Sequence, residues 1–92
     1  MSQNVFSGAD YVSFTTVAGV VKPRAGRLVK IVVTAAITGS ITIYDNPSAA
    51  SGTVLFTQAT PAVGPPILID VPAKSGMYCT PGSAGAFNVV YN

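Results

Sequence analysis

Few side chains in this sequence can do chemistry. There are three carboxylates (Asp10, Asp45 and Asp70), one thiol (Cys79) and five bases (Lys22, Arg24, Arg27, Lys30 and Lys74), with no His and no Glu. General acid–base catalysis needs a group that titrates near its working pH, most often His or a carboxyl displaced by its surroundings. The three aspartates are scattered, and each has a structural role at hand. Asp10 lies near the start of a first strand. Asp45 ends a strand before Asn46-Pro47, where an Asp side chain can bond turn backbone. Asp70 sits on the polar face of a strand. Cys79 has no His to activate it and reads as a small buried hydrophobe, the common fate of a free Cys. Zinc wants a cluster of Cys and His. A calcium site around Asp45 and Asn46 lacks a ligand-loop spacing. Gly64-Pro65-Pro66 is not a phosphate cradle, because no Lys follows it. The expectation is a protein that is not an enzyme and uses no cofactor and no metal.

The bases are more concentrated than the acids. Lys22, Arg24, Arg27 and Lys30 fall within nine residues with no acid among them. This segment fits an acidic protein surface or nucleic acid on one reading, and a solvated loop that keeps the chain soluble on the other. Nucleic acid is the weaker partner: four charges give modest salt-sensitive affinity, and single-strand binding wants interleaved aromatics. Tyr44 is the other candidate contact, because it falls on the strand face opposite Ile41 and Ile43. A Tyr with one apolar and one polar end suits an interface. It equally suits a carbohydrate platform, although the chain has no Trp.

Charge is scarce overall, at 9% of residues with a net charge of +2, against about 25% charged residues in ordinary soluble domains. The hydrophobic fraction of 49% is normal. Thr, Ser, Gly, Ala and Pro stand where Lys and Glu usually sit, so the surface repels its copies weakly and desolvates easily. That composition suits assembly better than life as a free monomer. With one cysteine no internal disulfide forms, which points to synthesis in a reducing compartment. Met1–Phe6 lacks the basic and apolar segments of a signal peptide, and the longest apolar runs are too short to span a bilayer. Asn46-Pro47-Ser48 has Pro in the middle and is no glycosylation site.

The elements that must position these residues are strands. Val29, Ile31, Val33, Ala35 and Ile37 alternate with Lys30, Thr34 and Ala36, and period-two alternation points one set inward. Ser40–Tyr44 alternates cleanly, so with Thr38-Gly39 as a tight turn, residues 28–44 read as a hairpin. Shorter runs follow at Tyr11–Thr16, Thr53–Thr57, Ile67–Val71, Met77–Thr80 and Ala86–Tyr91. Gly and Pro punctuate the gaps, and no window has a helical period. A single all-β domain over 11–92 is predicted, an antiparallel β-sandwich or jelly-roll-like barrel of six to eight short strands. Residues 1–10 form an N-terminal arm or a frayed end, with Val5 and Phe6 as anchors if it is an arm.

The stretch Lys22-Pro-Arg-Ala-Gly-Arg-Leu-Val-Lys-Ile-Val-Val-Thr, then Thr38-Gly-Ser-Ile-Thr-Ile-Tyr-Asp-Asn and Ser51-Gly-Thr-Val-Leu-Phe-Thr, resembles small virion structural proteins of tailed bacteriophages. The pattern continues through Ile67-Leu-Ile-Asp-Val-Pro and Phe87-Asn-Val-Val-Tyr, covering residues 20–92. The resemblance implies a capsid decoration (cement) or head-associated protein, made in the host bacterial cytoplasm and mounted on the capsid surface. Its implied partners are the major capsid protein and its own copies, with a homotrimer suggested by capsid three-fold positions. A tail or head-fibre component is the near alternative, and a carbohydrate-binding β-sandwich the more distant one.

Overall fold

The computed structural model describes residues 10–92. The proposed anchors Val5 and Phe6, and all of the arm but Asp10, lie outside the described residues. Alternating apolar and polar residues build eight strands: β1 (Asp10–Phe14), β2 (Gly19–Lys22), β3 (Gly26–Thr38), β4 (Ser40–Tyr44), β5 (Val54–Ala59), β6 (Ile67–Ala73), β7 (Met77–Thr80) and β8 (Ala84–Tyr91). Among the described residues there is no helix.

β1 pairs with β8, β2 with β7, β3 with β6 and β4 with β5, all antiparallel. A chain paired in this way is one long hairpin whose tip is β4–β5. Two more antiparallel pairings, β3 with β8 and β4 with β7, roll that hairpin into two four-stranded sheets. The first sheet runs β1-β8-β3-β6 and the second β2-β7-β4-β5. This is a two-sheet sandwich with jelly-roll connections, within the β-sandwich or jelly-roll-like architectures that alternation and turn spacing predict.

The expected hairpin over 28–44 does not form. β3 and β4 belong to different sheets, and Thr38-Gly39 is the corner between them. Gly39 holds φ at +90°, a conformation that favours glycine, and Ser83 donates its amide to the Thr38 carbonyl at 2.8 Å, tying the corner to the β7–β8 connection. Packing explains the outcome. Side by side in a hairpin, Ile31, Val33, Ile37, Ile41 and Ile43 would share one half-exposed face. Stacked across two sheets, the same residues cover one another, and all five are buried.

The face of β3 also differs from simple alternation. Leu28 is buried and Val29 only partly so, and Ala35 is exposed. Against β8, the eleven residues Leu28–Thr38 run opposite the eight residues Ala84–Tyr91, with register shifts at 28/30, 33/35 and 35/38. Each bulge adds a residue on one strand and re-aims the side chains beyond it. The inward set therefore becomes Leu28, Ile31, Val33 and Ile37. Phe87, Val89 and Phe14 join it in the first sheet, and Val21, Ile41, Ile43, Met77 and Cys79 face it from the second. Phe14 stacks on Phe87 with ring centroids 5.6 Å apart.

Candidate interaction surface

The three aspartates occupy separate elements, and each has a partner of its own. Asp10 Oδ1 accepts the Tyr11 amide at 2.8 Å. Asp45 bonds turn backbone as expected, but the turn is β6–β7: Lys74 and Ser75 donate their amides at 3.1 and 2.8 Å, and Gly76 at 3.4 Å. These amides, Ser75 first, hold its carboxyl below the usual carboxylate range. The turn after Asp45 is organised by Asn46, whose Oδ1 accepts the amides of Ser48 and Ala49 at 2.9 Å. Asp70 lies at a bulge opposite β3 with φ at +56° and pairs with Arg27 at 2.9 Å. Burial pushes the Cys79 thiol up to about 12, so it carries almost no thiolate at neutral pH. Among the described residues no three His, Cys, Asp or Glu side chains gather where a metal could sit.

The fold divides the basic segment between the two sheets and the turn that joins them. Lys22 ends β2 and donates Nζ to the Asn92 carbonyl at 2.8 Å. Arg24 lies exposed in the β2–β3 turn. Arg27 is held by Asp70. Lys30 stands on the outer face of the first sheet, since its neighbour Ile31 points inward and its pair partners are Val90 and Leu68. Lys22 and Arg27 still meet at one end of the molecule, where the Asn92 carbonyl accepts both the Lys22 ammonium and the Arg27 amide, while Lys30 stands apart on the first sheet and Tyr44 shares the second sheet with Lys22.

Tyr44 does face outward, and its surroundings were not foreseen. Val20 pairs with Tyr78, Tyr78 with Tyr44, and Tyr44 with Val54. These four residues form one rung across the whole second sheet: two tyrosines flanked by two exposed valines. The adjacent rung is Thr80, Thr42 and Thr57. Thr42 and Thr57 share a hydroxyl hydrogen bond at 3.1 Å, and the Thr80 hydroxyl donates to the Thr42 carbonyl at 3.3 Å. The only charged residue in the strands of this sheet is Lys22, whose ammonium turns to Asn92. The outward direction of Tyr78 was legible from buried Met77 and Cys79 on either side; its place beside Tyr44 depends on register, which local alternation does not carry.

The first sheet differs. Its strands carry Asp10, Arg27, Lys30 and Asp70. Its outer face has a shallow depression of about 260 Å³ lined by Asp10, Tyr11, Val32, Asn88 and Val90. Comparison with protein families, curated proteins and solved structures finds no match to this chain.

Proposed function

We propose that this chain is a non-enzymatic structural protein that works by assembly, and that the assembly is a virion: a capsid decoration protein that oligomerises and binds the major capsid protein through the outer face of the second sheet. The observation that carries the assembly reading is the Val20–Tyr78–Tyr44–Val54 rung on a face without a free charge. Aromatic and apolar residues concentrate at the centres of protein contacts, where charged residues are depleted. Covering these rungs desolvates no strand charge but Lys22, whose ammonium already bonds the Asn92 carbonyl, so the desolvation cost is low. The molecule spans 37 × 29 × 19 Å, and its broad side, on the order of 1,000 Å², is large enough for the ~800 Å² per partner of a standard interface.

The virion part of the reading rests on the resemblance over residues 20–92. Jelly rolls serve in viral capsids and in lectins, a likeness of architecture that assigns neither function by itself. The test is location. Particles of the phage that encodes the chain, purified and labelled with an antibody to it, should carry label over the head surface. Label on the tail would move the protein to a fibre or tail role, and particles without label would remove it from the virion.

A further inference from the structure

We propose that the free edge of β5 pairs antiparallel with β5 of a second copy of this chain, joining two second sheets into one continuous eight-stranded sheet about a two-fold axis. This rests on the assembly reading and names the copy-to-copy contact within it.

Among the described residues, the jelly roll leaves an open strand on either side of each sheet: β1 and β6 in the first, β2 and β5 in the second. An edge strand presents unpaired N–H and C=O groups that another strand can take up, and proteins that avoid this guard the edge with charge, Pro, bulges or shortness. β6 is guarded by its bulge, by Asp70 at positive φ with its Arg27 pair, and by Pro72. β2 has four residues, a register shift between Val20 and Lys22, and Pro23 directly after it. β1 carries Asp10. β5, Val-Leu-Phe-Thr-Gln-Ala, has six residues, no charge and no Pro; its one register shift, at Leu55, lies at its start and leaves Phe56–Ala59 in regular pairing with β4.

The donors and acceptors on this edge can be placed. Thr60 donates its amide to the Gly39 carbonyl at 2.7 Å. Ser40 pairs with Ala59, Ile41 with Gln58 and Ile43 with Phe56. Hydrogen-bonded and non-bonded pairs alternate along an antiparallel ladder, so Gln58 and Phe56 bond to β4, while the N–H and C=O of Thr57 and Ala59 face outward.

The occupant is argued from charge and symmetry. Between Asp45 and Asp70 the sequence has no charged residue, so β5 and both its flanks meet their own copies with no like charges opposed. A strand pairing antiparallel with itself closes as a two-fold contact in which each copy contributes the same residues. The pairing also doubles the uncharged tyrosine face. It makes the closed unit a dimer, in place of the trimer suggested by capsid three-fold positions.

The experiment is amide hydrogen exchange over a concentration series, read beside sedimentation. The result expected is a dimer in which the Thr57 and Ala59 amides slow as it forms. Thr57→Pro removes an outward N–H and the side-chain bond to Thr42 but no backbone bond to β4, and should lower the association constant about tenfold or more. Thr57→Lys places two ammonium groups close together across the axis and should act in the same direction. Both variants should keep the wild-type far-ultraviolet spectrum when dilute, and Leu68→Ser on the guarded β6 should associate as wild type. A monomer at millimolar concentration, a trimer, or an oligomer whose Thr57 and Ala59 amides exchange as fast as when dilute would overturn the pairing. Binding to purified particles is measured separately. Capsid binding without self-pairing overturns only this inference, and self-pairing without capsid binding overturns only the decoration reading.

Discussion

The two sheets share one core and differ in the charge they carry: both expose apolar side chains, Tyr11 and Leu68 on the first and Val20 and Val54 on the second, but the charges are divided unequally. The first carries Asp10, Arg27, Lys30 and Asp70 on its strands, and its β6 edge is bulged and ion-paired. The second carries a rung of two tyrosines and two valines, a rung of threonines, and a β5 edge with neither charge nor Pro. Both inner faces are apolar, so folding makes the same demand on each. The difference lies outward, where folding is nearly indifferent and contact is not. The scarcity of charge in the composition is therefore unevenly distributed. The strand charges lie almost wholly on the first sheet, and the second is the one we propose to be covered.

The strongest test of this division is to injure the shared interior. Phe87→Ala, at the centre of the core and stacked on Phe14, should cost about 3–5 kcal/mol of folding stability, measured by urea titration. Next in size is the joint between the sheets. Asp45 on the second sheet secures the turn by which the chain returns from β6 to β7. Asp45→Ala should cost about 1–2 kcal/mol at neutral pH, since it strands amides that bond a carboxylate. The folded carboxyl is held low, so its contribution is present above the unfolded value near 3.8 and fades as pH falls below it. The gap between wild type and variant should close in that acid range.

How much of this was readable beforehand follows from how far each signal reaches along the chain. Parity is local, so the strands, the buried Cys79 and the outward Tyr44 were legible from neighbours one or two residues away. Partner strands are not local. The alternation of Ile31–Ile37 and Ile41–Ile43 is the same whether β3 and β4 lie side by side or face to face, and only the need to bury both faces selects the second. Bulges were equally hidden: Leu28 replaces Val29 in the core because β3 takes up more residues than β8. The fate of the basic segment was hidden for a related reason. Residues 22–30 span a sheet end, a turn and a strand, and Asp70, the partner that removes Arg27 from any shared patch, is far along the chain. The uncharged run between Asp45 and Asp70 was open to view from the start, and its meaning depended on β5 proving to be an edge.

Two smaller effects probe the outward contrast itself. Opening the guarded edge with Asp70→Asn, which tolerates the positive φ, and Pro72→Thr together should change stability by about 1 kcal/mol or less, because the Arg27–Asp70 pair is exposed. It should nonetheless give β6 a new tendency to associate, visible as larger species in sedimentation. Tyr44→Ser with Tyr78→Ser should also alter stability little, within about 1 kcal/mol for a partly buried cross-strand pair on an outer face, while binding to particles falls at least tenfold.

The central claim is that the second sheet is the covered one, and tyrosine labelling reads it directly. Tyr44 and Tyr78 lie on the second sheet, and Tyr11, 61% exposed, on the outer face of the first. Nitration of the protein alone and in its assembled state, with the modified residues located by mass spectrometry, compares the two faces in one sample. The account predicts that assembly protects Tyr44 and Tyr78 and leaves Tyr11 as reactive as in the free protein. Protection of Tyr11 with Tyr44 and Tyr78 still labelled would contradict it, and would place the contact on the charged sheet.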